Sequence, residues 1–249
     1  MTTTTRVLTK VFKQVIEKPA KQRRQRIATA VAGFSGVLLI LVGALITALA
    51  YEERNDQAYR FWNHFVSELG EVGVSRLAWV FNGSLILGGV GIVIFMVGLA
   101  RLIPGWFRYV FSIAGLATGI SGTLVGFFPM NQLQPHIQVA MQFFNMGLLA
   151  MMLFSLYVLF ARQRTFPRWF VIPGILATTC FAAFLYFPTP GDSSGGLPIT
   201  QALIITNRPD MWWLAIMEWS AVLAVLGWVL LVSLYLWGGV RAGVFTIQE

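Results

Sequence analysis

The run IATAVAGFSGVLLILVGALITALA at residues 27–50 decides the fold class of this chain. It carries no charged residue over a length that, at roughly 1.5 Å per residue, crosses the roughly 30 Å of hydrocarbon in a bilayer. Five further apolar runs follow it, at Leu77–Ala100, Tyr109–Phe128, Ile137–Phe160, Phe170–Phe187 and Met211–Trp237. The sequence therefore predicts an all-α polytopic membrane protein with six transmembrane helices.

The composition agrees with hydrocarbon as the main solvent. Only 11% of the residues are charged, whereas a soluble domain carries about 25%. A membrane β-barrel is not expected, because barrel strands alternate apolar and polar residues over about 10 positions and these runs are continuous. The single cysteine, Cys180, forms no intrachain disulfide.

The lysines and arginines predict the orientation. Fourteen of the eighteen lie on the segments that share a side with the N-terminus, and cations concentrate in cytoplasmic segments. We expect both termini in the cytoplasm and a location in the plasma membrane. The predicted parts are a basic amphipathic arm at 1–26, a six-helix transmembrane domain at 27–240 and a short cytoplasmic tail at 241–249. Signal cleavage after Ala50 would leave five spans, but the 27–50 run is longer than the roughly 7 to 15 apolar residues of a signal peptide.

The arm is expected to lie on the membrane surface. Residues 6–17 place apolar side chains on one half of a helical wheel and polar ones on the other. Such a helix rests in the interface with its cations near anionic lipid headgroups. Because the cations are accounted for by topology, nucleic-acid binding is not expected.

A weak internal repeat suggests a transporter as one alternative. A shift of 63 positions aligns Phe81-Asn82 with Phe144-Asn145 and Pro104 with Pro167. Transporters place their sites between such repeats. A small transporter or a subunit of a membrane complex, with helix–helix partners, is therefore one candidate function.

Polar side chains gather near one end of the predicted helices. His64, Ser67 and Glu68 are spaced i, i+3 and i+4, so on a helix they share one face. Gly70 and Gly73 favour a break soon after that face.

Other polar groups lie inside or beside the later spans. His136 begins the fourth span, and Asn82 and Asn145 lie within the second and fourth. Glu218 is the only carboxylate well inside an apolar run, eight residues after Asp210 and hence about 12 Å deep. A buried ionisable group in a membrane is costly and is usually functional or paired.

We expect four of these side chains to converge on one polar cavity that opens outward, namely His64, Glu68, His136 and Glu218. The leading hypothesis is a non-enzymatic protein that binds or organises lipid, with Glu218, Asn82 and Asn145 in contact with the ligand. In a purely structural interpretation the same groups pair with one another and tie the helix ends together.

Two chemical alternatives use the same residues. An intramembrane lipid hydrolase or transferase would use Ser67 as nucleophile and His64 or His136 as base, with Glu68 nearby. A bis-histidine haem would need His64 and His136 to face each other. Otherwise no cofactor is expected, and neither a metalloprotease nor a phosphate-loop motif is present, so no metal site is predicted.

The segment Asn63–Gly70, with its H-x-x-S-E-L-G pattern, resembles the signature of domain-of-unknown-function family 998, a prokaryotic family of six-span membrane proteins. Phe81–Gly83, the glycine-rich stretch Gly115–Pro129 and His136 resemble later parts of the pattern, and the likeness covers about Ile27–Trp237. That family is distantly similar to DRAM-like and GPI-anchor-remodelling membrane proteins. The resemblance implies a six-helix bundle and a lipid-associated role, and it assigns no catalytic residue.

Overall fold

A computed structural model describes residues 18–51, 58–163, 165–187 and 210–241. The predicted amphipathic helix at 6–17, the segment 188–209 and the tail from 242 onward lie outside the described residues.

The described residues contain six long α-helices, and each helical segment is long and apolar enough to cross a membrane. They are α1 Lys18–Leu49, α2 Ala78–Leu102, α3 Phe107–Phe127, α4 Leu133–Phe160, α5 Val171–Tyr186 and α6 Trp213–Arg241. The predicted all-α, six-span fold is thereby confirmed, and the chain is a multi-pass membrane protein.

Two helix boundaries differ from the predicted ones. α1 begins at Lys18, so it runs without interruption through the boundary expected at residue 26. Pro19 is compatible with this start because a proline in the first turn of a helix loses no hydrogen bond. A short 3₁₀ helix at Arg168–Phe170 directly precedes the 16 residues of α5. Together the two helices are long enough to cross a membrane.

The six helices close into a ring. Each packs against its neighbours in the sequence, and α6 returns to pack against α1. α1 and α2 approach closely where Gly36 faces Gly88, since a Cβ atom added to Gly88 would lie 2.8 Å from the carbonyl oxygen of Gly36. Such small residues let membrane helices come into backbone contact.

Aromatic side chains fill one half of the ring. Trp228 of α6 packs edge-on against Phe154 of α4, with ring centroids 4.8 Å apart, and against Phe95 of α2 at 6.0 Å. This half leads to the connections that carry Arg101, Arg108 and other cations, and we call that end the basic end. The interior of the ring is therefore solid towards the basic end.

Candidate functional site

Residues 58–77 fold over the opposite end of the ring, and we call them the cap. The cap contains a 3₁₀ helix at Val66–Gly70 and a turn at Gly73, whose φ of 86° favours glycine. The predicted break after Gly70 is confirmed. The predicted helical face of His64, Ser67 and Glu68 is wrong, because His64 precedes a 3₁₀ helix and is not part of an α-helix.

Glu218 of α6 anchors the cap. Its Oε2 accepts a 2.6 Å hydrogen bond from the backbone N–H of Val66, and the N–H and hydroxyl of Ser67 interact with the same carboxylate. Glu218 is only 7% exposed. It lies five residues after the start of α6 at Trp213, hence roughly 8 Å along the helix, and so it is shallower than the sequence suggested.

Glu68 holds the cap from within. Its Oε1 accepts the backbone N–H of Phe65 at 2.7 Å. It is buried and close enough to Glu218 for the two carboxylates to interact electrostatically. Both carboxylates therefore satisfy backbone N–H groups around the first turn of the 3₁₀ helix, which otherwise lack acceptors.

Tyr59 links the cap to α6. Its hydroxyl donates to the carbonyl oxygen of Phe65 at 2.8 Å and accepts the indole N–H of Trp219 at 3.0 Å. Burial raises the pKa of Tyr59 above its ordinary value, and the negative charge of Glu218 raises it further. The phenol is therefore protonated, as its role as a donor to Phe65 requires.

His64 is enclosed by the cap. It is fully buried, and its ring lies 5.0 Å from that of Tyr59 and 5.4 Å from that of Tyr51. Its Nδ1 is 2.7 Å from Oδ1 of Asn63. These contacts give His64 a packing role inside the cap.

The two asparagines proposed as ligand-binding residues have local partners. Asn82 donates from Nδ2 to the carbonyl oxygen of Gly70 at 2.9 Å, which ties α2 to the cap. Asn145 is exposed and donates to Met141 O of its own helix at 2.7 Å. The structure brings neither of them to the cavities described below.

Gly70 provides the space for the side chain of Asn82. A Cβ atom at position 70 would lie 2.3 Å from Oδ1 of Asn82. We expect Gly70→Ala to displace the amide, to break its hydrogen bond and to lower the free energy of unfolding by about 1 kcal/mol. Unfolding in detergent would measure this, with Gly83→Ala as the control because a Cβ there meets no atom within 4 Å. Equal stability of the two variants would contradict the assignment.

His136 has a defined tautomer in its neutral form. Its Nδ1 lies 2.8 Å from the carbonyl oxygen of Phe128. A carbonyl oxygen only accepts, so Nδ1 carries the proton and Nε2 is a hydrogen-bond acceptor. The carbonyl oxygen of Phe128, directly after the end of α3, therefore fixes the orientation of the His136 ring. The His136 side chain is 4% exposed.

Two adjoining cavities lie beneath the cap. The larger chamber has a volume of about 120 Å³ and is lined by residues of α1, α2, α3, α4, α6 and the cap, with mostly apolar walls. The smaller chamber, of about 30 Å³, lies between the cap, α4 and α6, with Phe184 of α5 on its wall. Both are lined by the same five residues, namely Ser67, His136, Ala140, Phe144 and Glu218.

The predicted polar cavity thus differs from the observed one. Ser67, His136 and Glu218 meet at the junction of the chambers, whereas His64 and Glu68 belong to the cap and line neither chamber. Sequence reasoning missed the backbone groups that complete the arrangement, which are the N–H of Val66 and the carbonyl of Phe128. Backbone groups leave no signal in residue type.

This placement bears on the chemical alternatives. His64 and His136 do not share a cavity, so they do not fit the opposed ligands of a haem. The hydroxyl of Ser67 faces Glu218, and Nδ1 of His136 is hydrogen-bonded to the carbonyl oxygen of Phe128. Among the described hydrogen bonds, neither His64 nor His136 therefore contacts the serine as the predicted base would. Within the described ranges, no three His, Cys, Asp or Glu residues group to hold a metal ion.

Comparison with known proteins identifies the chain at the family level. Neither a curated protein nor a solved structure matches it, so the predicted distant similarity to DRAM-like proteins stays a prediction. A family described as "Protein of unknown function (DUF998)" matches residues 36–235. That range contains the cap and every residue that lines the two chambers. The match covers most of the sequence, and the chain therefore belongs to the DUF998 family.

Proposed function

We propose that this protein binds lipid, without catalysis, by receiving a short apolar segment of the lipid in its larger chamber. The observation that carries the proposal is the chamber itself, an apolar space inside a ring of membrane helices. Ile92 and Val229 line it towards the basic end, next to the aromatic cluster around Trp228, and Val66 and Ser67 of the cap line the other end. Side chains around an unfilled space lose contacts that an apolar ligand restores.

The size of the chamber suits a short apolar segment. An engineered cavity of about 150 Å³ in another protein binds benzene, and the present chamber of about 120 Å³ is slightly smaller. Leu41 of α1 lines the chamber and is also 37% exposed. This supports access from the lipid side of the ring.

The proposed setting follows the distribution of charge. With both termini in the cytoplasm of a plasma-membrane protein, the basic end faces inward and the cap faces outward. The arm before α1 would then bind anionic headgroups of the inner leaflet. Transport is less well supported, because Asn82 and Asn145 provide no polar path through the described ring.

Filling the chamber tests the proposal. Ala140 lines both chambers, and Ala140→Leu adds three carbon atoms to that space. We expect co-purified lipid to fall about tenfold or more, at roughly 0.8 kcal/mol for each apolar group excluded, as measured by native mass spectrometry. The free energy of unfolding should stay constant or rise, since filling a cavity commonly adds about 0.5–2 kcal/mol.

Gly227→Leu is the control, because a Cβ atom at Gly227 meets no atom within 4 Å. It should retain as much lipid as the unaltered protein. The proposal is wrong if the unaltered protein retains no lipid, or if the Ala140 variant folds and retains the same amount.

A further inference from the structure

We infer that the smaller chamber selects a positively charged head that donates hydrogen bonds, so that the ligand is an apolar molecule carrying a primary or secondary amine. This inference rests on the proposed function, because it assigns the polar head of the molecule whose apolar part occupies the larger chamber. It is drawn from three features of the junction, namely its hydrogen-bond acceptors, its acidic side chains and its size.

The protein's own donors at the junction are already engaged. The N–H of Val66 and both donors of Ser67 are directed to Glu218, and Nδ1–H of His136 binds the carbonyl oxygen of Phe128. A carboxylate offers about four lone-pair sites, which is more than these donors use, so Glu218 keeps capacity to accept a further hydrogen bond. The groups left to meet a ligand are therefore acceptors, Glu218 and Nε2 of His136.

The ionisable side chains at the junction are acidic, and a cation bound there would favour the ionised form of Glu218. Among the described residues that line the chambers, none is Lys or Arg, and Glu218 is the only carboxylate. Glu68 brings a second carboxylate close to it. An anionic head such as a carboxylate or phosphate would bury unpaired charge there, which is costly. An ammonium group would instead form a charge-assisted hydrogen bond with Glu218.

The two chambers fit the two parts of such a molecule. They are adjacent, since five residues line both, and their volumes are about 120 and about 30 Å³. A single ring suits the larger chamber by comparison with known benzene-binding cavities. A one-carbon ammonium arm suits the smaller one, so benzylamine is the smallest probe that occupies both.

Four fluorinated probes with the same ring test the assignment. Fluorobenzene, 4-fluorobenzyl alcohol, 4-fluorobenzylamine and 4-fluorobenzoate would be titrated into the full-length protein in a neutral detergent and followed by fluorine NMR, with empty micelles as the blank. We expect the amine to bind about tenfold or more tightly than fluorobenzene, the alcohol to lie between them, and the benzoate to bind most weakly.

Two variants locate the effect. Glu218→Gln should weaken the amine about tenfold and leave fluorobenzene unchanged, because glutamine keeps the size of the side chain and removes only its capacity to carry a negative charge. Ser67→Ala should leave the amine as tight or tighter, because it frees a lone pair of Glu218. If Glu218→Gln fails to fold, the inference is still tested by two results. These are the order of affinities of the four probes for the unaltered protein, and the affinity of the Ser67 variant for the amine.

The outcomes separate this inference from the proposed function. If fluorobenzene does not bind, the larger chamber is not a binding site and both proposals are overturned. If fluorobenzene binds but the amine binds no more tightly, or the benzoate binds best, the amine assignment alone is overturned. The same holds if the Glu218 variant folds and keeps the preference for the amine.

Discussion

Glu218→Leu is expected to lower the free energy of unfolding by roughly 2–4 kcal/mol and to detach the cap from α6. The substitution removes the acceptor of the Val66 N–H and of both Ser67 donors. Each buried donor left without an acceptor costs about 1–3 kcal/mol, and the removal of a buried polar carboxyl group, which is costly to desolvate, offsets part of that loss. Unfolding measured in detergent micelles, together with protease cleavage within residues 58–77, would report both effects.

Two substitutions on the same helix serve as controls. Glu218→Gln keeps an oxygen acceptor and should lose no more than about half as much stability. Ser220→Ala should be nearly neutral, because the Ser220 hydroxyl only donates to Ile216 O of its own helix. A Glu218→Leu protein as stable and as protease-resistant as the unaltered one would show that the cap is held by other contacts.

Gly88→Ala should destabilise the protein by roughly 1–3 kcal/mol through the crossing of α1 and α2. The added Cβ would lie 2.6 Å from Cγ1 of Ile40 and 2.8 Å from the carbonyl oxygen of Gly36. A side chain can rotate away from such a contact, but a helix backbone moves only with its helix, so overpacking here forces the two helices apart. The midpoint of unfolding in detergent would reveal the loss.

Gly227→Ala is the matched control for this prediction. No atom lies within 4 Å of a Cβ at that position, so the substitution should be neutral or stabilising by up to about 1 kcal/mol, as expected of alanine replacing glycine in a helix. If both alanine variants unfold at the same midpoint, close approach at Gly88 does not contribute to stability.

The sequence was sufficient to predict the six helices, because a long uncharged apolar run has few alternatives to a membrane span. Their ends were less accurate. The sequence placed the start of the first span at Ile27, whereas the helix begins at Lys18. Lysine and arginine are good helix formers, so the helix continues through the basic residues before Ile27, where the apolar run that marks the span has not yet begun.

The site was predictable in residue type but not in arrangement. Glu218 stood out in the sequence because a carboxyl group in an apolar run requires hydrogen-bonding partners. In the structure, Val66 and Ser67 of the cap are those partners. The separation of His64 from His136 depends on how residues 58–77 fold over the ring, and that fold is set by backbone hydrogen bonds. Asn82 resembled a ligand-binding group because its partner is a backbone group, the carbonyl oxygen of Gly70. A backbone partner cannot be recognised from residue types.

The closed ring also has a consequence for how the molecule is made. Each of the helices α2 to α5 packs against the helix that precedes it in the chain. Those contacts can therefore form one after another during synthesis. The closing contact joins α6 to α1 across nearly the whole chain. Because α6 supplies Glu218, a nascent protein halted before residue 213 would be an open arc of five helices, with an unanchored cap and a chamber exposed to the bilayer.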